Sequence, residues 1–156
     1  MISCKFENDT PANLRHVTVG SIVVNDQNQI LLVKRAVEHR FGKYSIPGGF
    51  LDRDENTQEG TLRELKEETG YEGKIDFLFR VNDNPERPKE DRQNVDFLYV
   101  CKVIGGEPTL NHEVSEIKWF TEAELPIDEE FAFDHRETIL KYFEYLKQPF
   151  QLPIIG

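Results

Sequence analysis

The sequence predicts an α/β protein, a mixed β-sheet carrying helices on two faces. Runs of β-branched and aromatic residues lie on both sides of one long helix-forming segment at 56–70. A second helix-forming segment closes the chain, with Ile139, Phe143 and Leu146 at i, i+4 and i+7. No internal repeat and no linker interrupts the 156 residues, a length that suits one domain with a substantial core. Residues 1–156 are therefore read as a single domain, with its core at about 15–146.

Residues 1–14 are polar and include Pro11, which allows a short strand at best or a mobile lead-in. His16 to Val24 (HVTVGSIVV) is β-branched and apolar, the composition of a central strand. Asn25 to Asn28 is a turn, and Gln29 to Arg35 returns as the second strand of a hairpin. Residues 36–43 form a loop. Tyr44 to Pro47 is extended, because proline pushes the residue before it out of helical space, and Gly48-Gly49 makes a tight turn.

The central helix has its own start and stop signals. Asn56 is an N-cap with Glu59 at N3, and Gly70 is a C-terminal stop. Strands follow at 73–81 and 95–104, separated by the polar, two-proline loop 82–94, and Gly105-Gly106 breaks the second. A short strand at 116–120 leads to a helical turn at 121–125. Asp134, with Glu137 at N3, caps the last helix, and 149–156 is a tail.

Composition narrows the function. With 29 acidic and 19 basic residues the net charge is −10, so no basic field exists to hold a nucleic-acid polymer or an anionic membrane. An acidic enzyme for small phosphorylated substrates remains open, since a bound metal supplies positive charge locally. The two cysteines, Cys4 and Cys101, fit a reduced, cytoplasmic protein rather than a disulfide framework. No long apolar run and no secretory leader pattern is present.

The chemistry concentrates in 49–71, GFLDRDENTQEGTLRELKEETGY. On a helix, Glu64 neighbours both Glu67 and Glu68, which puts three carboxylates on one face. Such like-charge spacing is unfavourable unless a cation cancels it, and hard cations such as Mg²⁺ take oxygen ligands while leaving room for water and phosphate. Arg63 is placed to orient one of the carboxylates. A solvated acidic face with pairs to Lys66 and Arg63 is the plain alternative.

The full spacing decides between them. Gly49, five residues, Glu55, seven residues, Arg63-Glu64, an aliphatic, any residue, Glu67-Glu68, any residue, Gly70 resembles the signature of the Nudix hydrolases at every charged and glycine position. Tyr71 departs, standing where the family usually has an aliphatic residue. The resemblance implies an α/β/α sandwich with a mixed central sheet, and an enzyme that opens a diphosphate bridge with Mg²⁺, for which Mn²⁺ can substitute. It makes Glu67 and Glu68 metal ligands, Glu64 a ligand or the base, and the Gly49 carbonyl part of the metal shell. Arg63 holds the glutamates, with Glu55 as its ion-pair partner and a neighbour of the substrate.

Outside the signature, Glu113 is the favoured extra acid for the metal, ahead of Glu116, Glu90 and Asp91. The resemblance further points to a nucleoside diphosphate derivative, ADP-ribose or a related nucleotide sugar. Pro85 and Pro88 lie near the position of a proline common in ADP-ribose-type members, which makes Pro88 a substrate-side candidate. The segment Phe131 to His135 resembles the Ala-Phe-Asp-His stretch that opens their final helix. Read plainly, the prolines stiffen a loop and His135 is a solvated first-turn residue. Phe50 and Phe79 are candidates to stack on a base, although most of the eleven phenylalanines must build the core. The alternatives are a hydrolase of oxidised nucleoside triphosphates and, in another class, a nucleotide-sensing module without turnover. ADP-ribose-type members are often dimers, which leaves a homodimer open, with the apolar tail 150–155 as a candidate part of its interface.

Overall fold

Strand alternation divides the apolar residues of this chain between two cores. In a computed structural model, which describes residues 2–89 and 92–156, three strands run through the centre: β3 (Val17–Val24), β4 (Ile30–Arg35) and β8 (Val95–Gly106). Ile22, Val24, Ile30, Leu32, Leu98 and Val100 point to one side, where Ile139, Tyr142 and Phe143 of the final helix α2 (His135–Lys147) cover them. Val23, Leu31, Tyr99 and Cys101 point to the other, where Leu65 of α1 (Thr57–Thr69) seals them. The period of two along each strand thus produces helices on both faces of one sheet. The predicted α/β/α sandwich with a mixed sheet is what the chain adopts.

β3 is central and mixes directions. It pairs in parallel with β8 from Val17↔Val95 to Val24↔Lys102 and antiparallel with β6 (Gly48–Phe50). β8 pairs antiparallel with β7 (Tyr71–Asn82) through three register shifts, each of which increases local twist. The expected hairpin of β3 and β4 closes only at Val24↔Ile30. Beyond the Asn25 turn the strands part, and β4 pairs instead with β5 (Tyr44–Ser45) and β9 (Val114–Phe120). β6 takes the place of β4 beside Thr18, Val19 and Gly20, and residues of β3 and β6 line one cavity.

Several expectations at the periphery are corrected. Residues 2–14 form an antiparallel hairpin, β1 (Ile2–Lys5) with β2 (Pro11–Leu14). Gly105-Gly106 does not break β8: Gly106 pairs with Tyr71, and a Cβ there would lie 3.0 Å from the Glu72 nitrogen. The 149–156 tail ends in an edge strand, β10 (Ile154–Ile155), parallel to β7, so its backbone is already used within the chain. Among the described residues, no helix is long and apolar enough to cross a membrane.

Candidate active site

The loop from β6 into α1 forms as its residues dictate. The Asn56 side chain accepts from the Gln58 and Glu59 backbone N–H groups, both at 3.0 Å, while Glu59 reaches back to the Asn56 N–H at 2.9 Å. Gly70 ends the helix in the left-handed region, φ 76°. Between these caps, Arg63 organises the acids. Its guanidinium donates to both oxygens of Glu55 (3.0 and 2.8 Å), to Oε1 of Glu64 (2.8 Å), to Oε2 of Glu67 (3.1 Å) and to the Phe50 carbonyl (3.1 Å). The planar fork permits this set of bonds, which a lysine's point charge does not. The Glu55 contact in particular raises the Arg63 pKa and lowers that of Glu55.

Glu64 and Glu68 face a cavity of about 380 Å³ that Gly48, Gly49, Phe50 and Glu113 also line. Glu68 is only 5% exposed. Its Oε2 accepts the Gly48 N–H at 3.0 Å, yet burial still pushes its carboxyl up to about 8. Glu64 is also raised, again chiefly by burial, against the opposing pull of Arg63. A Cβ on Gly49 would sit 2.6 Å from Cδ of Glu64, so only glycine lets this backbone close on the carboxylate.

Among the described residues no three His, Cys, Asp or Glu side chains stand together as a preformed metal cage. The donor chemistry nevertheless fits a hard divalent cation, because the cavity presents carboxylate and carbonyl oxygens. Glu68 agrees with this, since burial holds its carboxyl mostly neutral near pH 7 and a nearby cation favours the ionised form.

Basic residues also line the cavity, and the sequence did not mark them as part of a site. Arg35 donates to the His39 carbonyl at 3.1 Å and lies 5.4 Å from the Phe133 ring centre. Arg92 lies 5.6 Å from the centre of Phe50. Arg87 is buried between Asp134 (2.7 Å) and Asp96 (3.4 Å). This last contact corrects the expected role of Asp134: it opens α2, but its side chain makes no cap bond, accepting instead from Arg87 and from Asn82 at 3.0 Å. His135 is also not a solvated residue; it lines the cavity and its Nδ1 accepts the Ile46 N–H at 3.2 Å. Asp96, an acid inside an apolar strand run, is the one of these with a visible sequence signal.

The remaining candidates are distributed as follows. Phe50 lines the cavity at 42% exposure and packs 5.0 Å from His16. Phe79 is fully buried against Tyr142 and Tyr145, which removes it as a stacking surface. Glu67 is exposed and rests on Arg63. Glu55 and Pro88 lie outside the cavity lining, Pro88 being exposed. Glu116 pairs with Lys34 and Tyr44 instead. Glu90 and Asp91 fall outside the described residues. Tyr71 fills its aliphatic position by packing on Trp119, ring centres 6.3 Å apart.

A sandwich with this acid-bearing loop and helix defines a class, and comparison with known proteins agrees. The NUDIX domain family model matches residues 14–142. An ADP-ribose pyrophosphatase of Methanocaldococcus jannaschii is 34% identical over 129 residues, 83% of this chain and 73% of that protein. A putative 8-oxo-dGTP diphosphatase of Bacillus subtilis is 34% identical over 108 residues, 68% of this chain and 66% of its own. The crystal structure of a NUDIX hydrolase from Nitrosomonas europaea superposes with a TM-score of 0.81 at 26% identity, covering 99% of this chain and 92% of that one. The chain belongs to the Nudix family and is a Nudix pyrophosphohydrolase. Enzymes of this family act on small nucleotide substrates and generally use a divalent metal.

Proposed function

We propose that this enzyme is an Mg²⁺-dependent hydrolase of a nucleoside diphosphate derivative, with ADP-ribose or a related nucleotide sugar as substrate. The observation that carries the reading is one cavity lined both by the carboxylates of Glu64 and Glu68 and by the guanidinium groups of Arg35, Arg87 and Arg92. A diphosphate bridged to two organic groups needs both: a cation on one side and guanidinium groups for the remaining charge. The similarity to the M. jannaschii ADP-ribose pyrophosphatase supports the substrate class.

In this reading Glu64, Glu67, Glu68, the Gly49 carbonyl and Glu113 hold the metal, with Mn²⁺ as a substitute for Mg²⁺. When bound there, the cation neutralises phosphate charge and makes water a better nucleophile. Arg63 keeps the carboxylates in place and Glu55 keeps Arg63 in place. Glu64 serves as a ligand or takes the proton of the attacking water. Phe50 offers an exposed ring to a base, and Glu55 and Pro88 bear on the substrate from outside the lining. The reading includes a single domain, a homodimer and a cytoplasmic setting, the last supported by free Cys4 and Cys101. A monomer mass in light scattering would remove the dimer.

The test is AMP release from ADP-ribose with and without Mg²⁺, for the wild type and Glu68→Gln. Metal-dependent release that the variant loses by orders of magnitude is expected. Pyrophosphate release from 8-oxo-dGTP, with ADP-ribose untouched, would replace this substrate by the oxidised triphosphate that the B. subtilis relative suggests. Inactivity on both and on a nucleotide-sugar panel would favour a sensing module.

A further inference from the structure

His135 opens α2, lines the cavity, and has no part in the reading just given. The Ile46 N–H points at its Nδ1 from 3.2 Å. An N–H can donate only to a lone pair, so Nδ1 is bare and the neutral ring carries its proton on Nε2. Three charged groups act on the ring: Asp134 beside it on α2, Arg87 from the 82–94 loop and Arg35 from β4. Burial is the largest influence, and the group is pushed down to about 3. The surrounding wall includes apolar Ile46, Leu98 and Phe133, the last with its ring centre 5.1 Å away. A donor held in this mixed charged and apolar wall selects for an oxygen, because a ligand without an acceptor leaves it unpaired.

We propose that His135 is a substrate-binding residue whose Nε2–H donates to an acceptor oxygen of the bound nucleotide, while Nδ1 anchors the backbone that leads to Gly48 and Glu68. This deepens, and rests on, the reading of the cavity as a nucleotide site. Two substitutions separate the two ends of the ring. Asparagine places an acceptor where Nδ1 lies and has no donor at the Nε2 position; glutamine keeps a donor there. On ADP-ribose, or whichever nucleoside diphosphate derivative the wild type hydrolyses, His135→Asn is expected to raise KM about tenfold with kcat changed less than about threefold. His135→Gln should keep KM within about threefold, and the His135→Asn effect should be constant from about pH 5.5 to about pH 8, because the ring stays neutral. A KM for His135→Asn within about twofold of wild type, or equal losses in both variants, would overturn the proposal.

Product inhibition locates the oxygen. Weakened inhibition of His135→Asn by AMP alone assigns it to the adenylate half, and by ribose 5-phosphate alone to the sugar-phosphate half. Unchanged inhibition by both overturns the contact. If the wild type turns over no substrate, the function above fails, and calorimetric binding of AMP and ADP-ribose to the same three proteins carries the test with the same outcomes. Imidazole ¹⁵N shifts of the wild type need no variant to fold: a proton on Nδ1 refutes the proposal, and a proton on Nε2 supports it.

Discussion

Glu68→Gln should stabilise the metal-free enzyme while destroying its activity. The wild-type carboxyl titrates at about 8 when folded, against 4.5 for a free glutamate, because burial disfavours its charge. A group raised in this way costs nothing below pH 4.5, and its stability penalty grows as pH rises toward 8. At pH 7 the unfolded chain has ionised its glutamate and the folded chain has not, which amounts to about 3 kcal/mol as a ceiling. At pH 5 the same arithmetic leaves about 1 kcal/mol. Glutamine is neutral throughout and its carbonyl can still accept the Gly48 N–H. For a chain of this length, 3 kcal/mol corresponds to roughly 6–12 °C in Tm. The assay is thermal unfolding in EDTA at pH 5 and pH 7, followed by addition of Mg²⁺. Glu68→Gln should melt higher than wild type at pH 7, the gap should narrow at pH 5, and Mg²⁺ should raise only the wild type. A variant that melts no higher than wild type at pH 7, or a gap that does not grow with pH, would refute the reasoning.

Arg63→Lys loses the two-pronged bond to Glu55 and cannot span Glu64, Glu67 and Phe50 together; kcat/KM should fall about 10–100-fold, the usual cost of loosening groups that orient metal ligands. Gly49→Ala drives a methyl group into the Glu64 carboxylate, so kcat should fall about a hundredfold while circular dichroism and Tm stay near wild type. Arg87→Met strands Asp134 and Asp96 in the interior; chemical denaturation should show a loss of about 3–5 kcal/mol, partly relieved on lowering the pH as Asp96, already raised by burial, takes up its proton. Glu113→Gln should weaken activation by Mg²⁺ in a metal titration, and unchanged activation would exclude it as a ligand.

The sequence by itself determined the elements whose signals are local. Asn56, Glu59 and Gly70 bound α1 because capping bonds span only three or four residues. The Glu55–Arg63 spacing put both groups within reach because loop and helix geometry are short-range. Tertiary structure alone decided the basic part of the cavity lining. Arg35, Arg87 and His135 lie on three separate elements, and only the folded chain brings them to one cavity. It also decided Asp134, which has the local signature of a helix cap but meets Arg87, 47 residues away. A buried guanidinium is a stronger partner for a carboxylate than a helix N–H is. Long-range charge pairing, which leaves no periodic mark in the chain, overrode the local rule there.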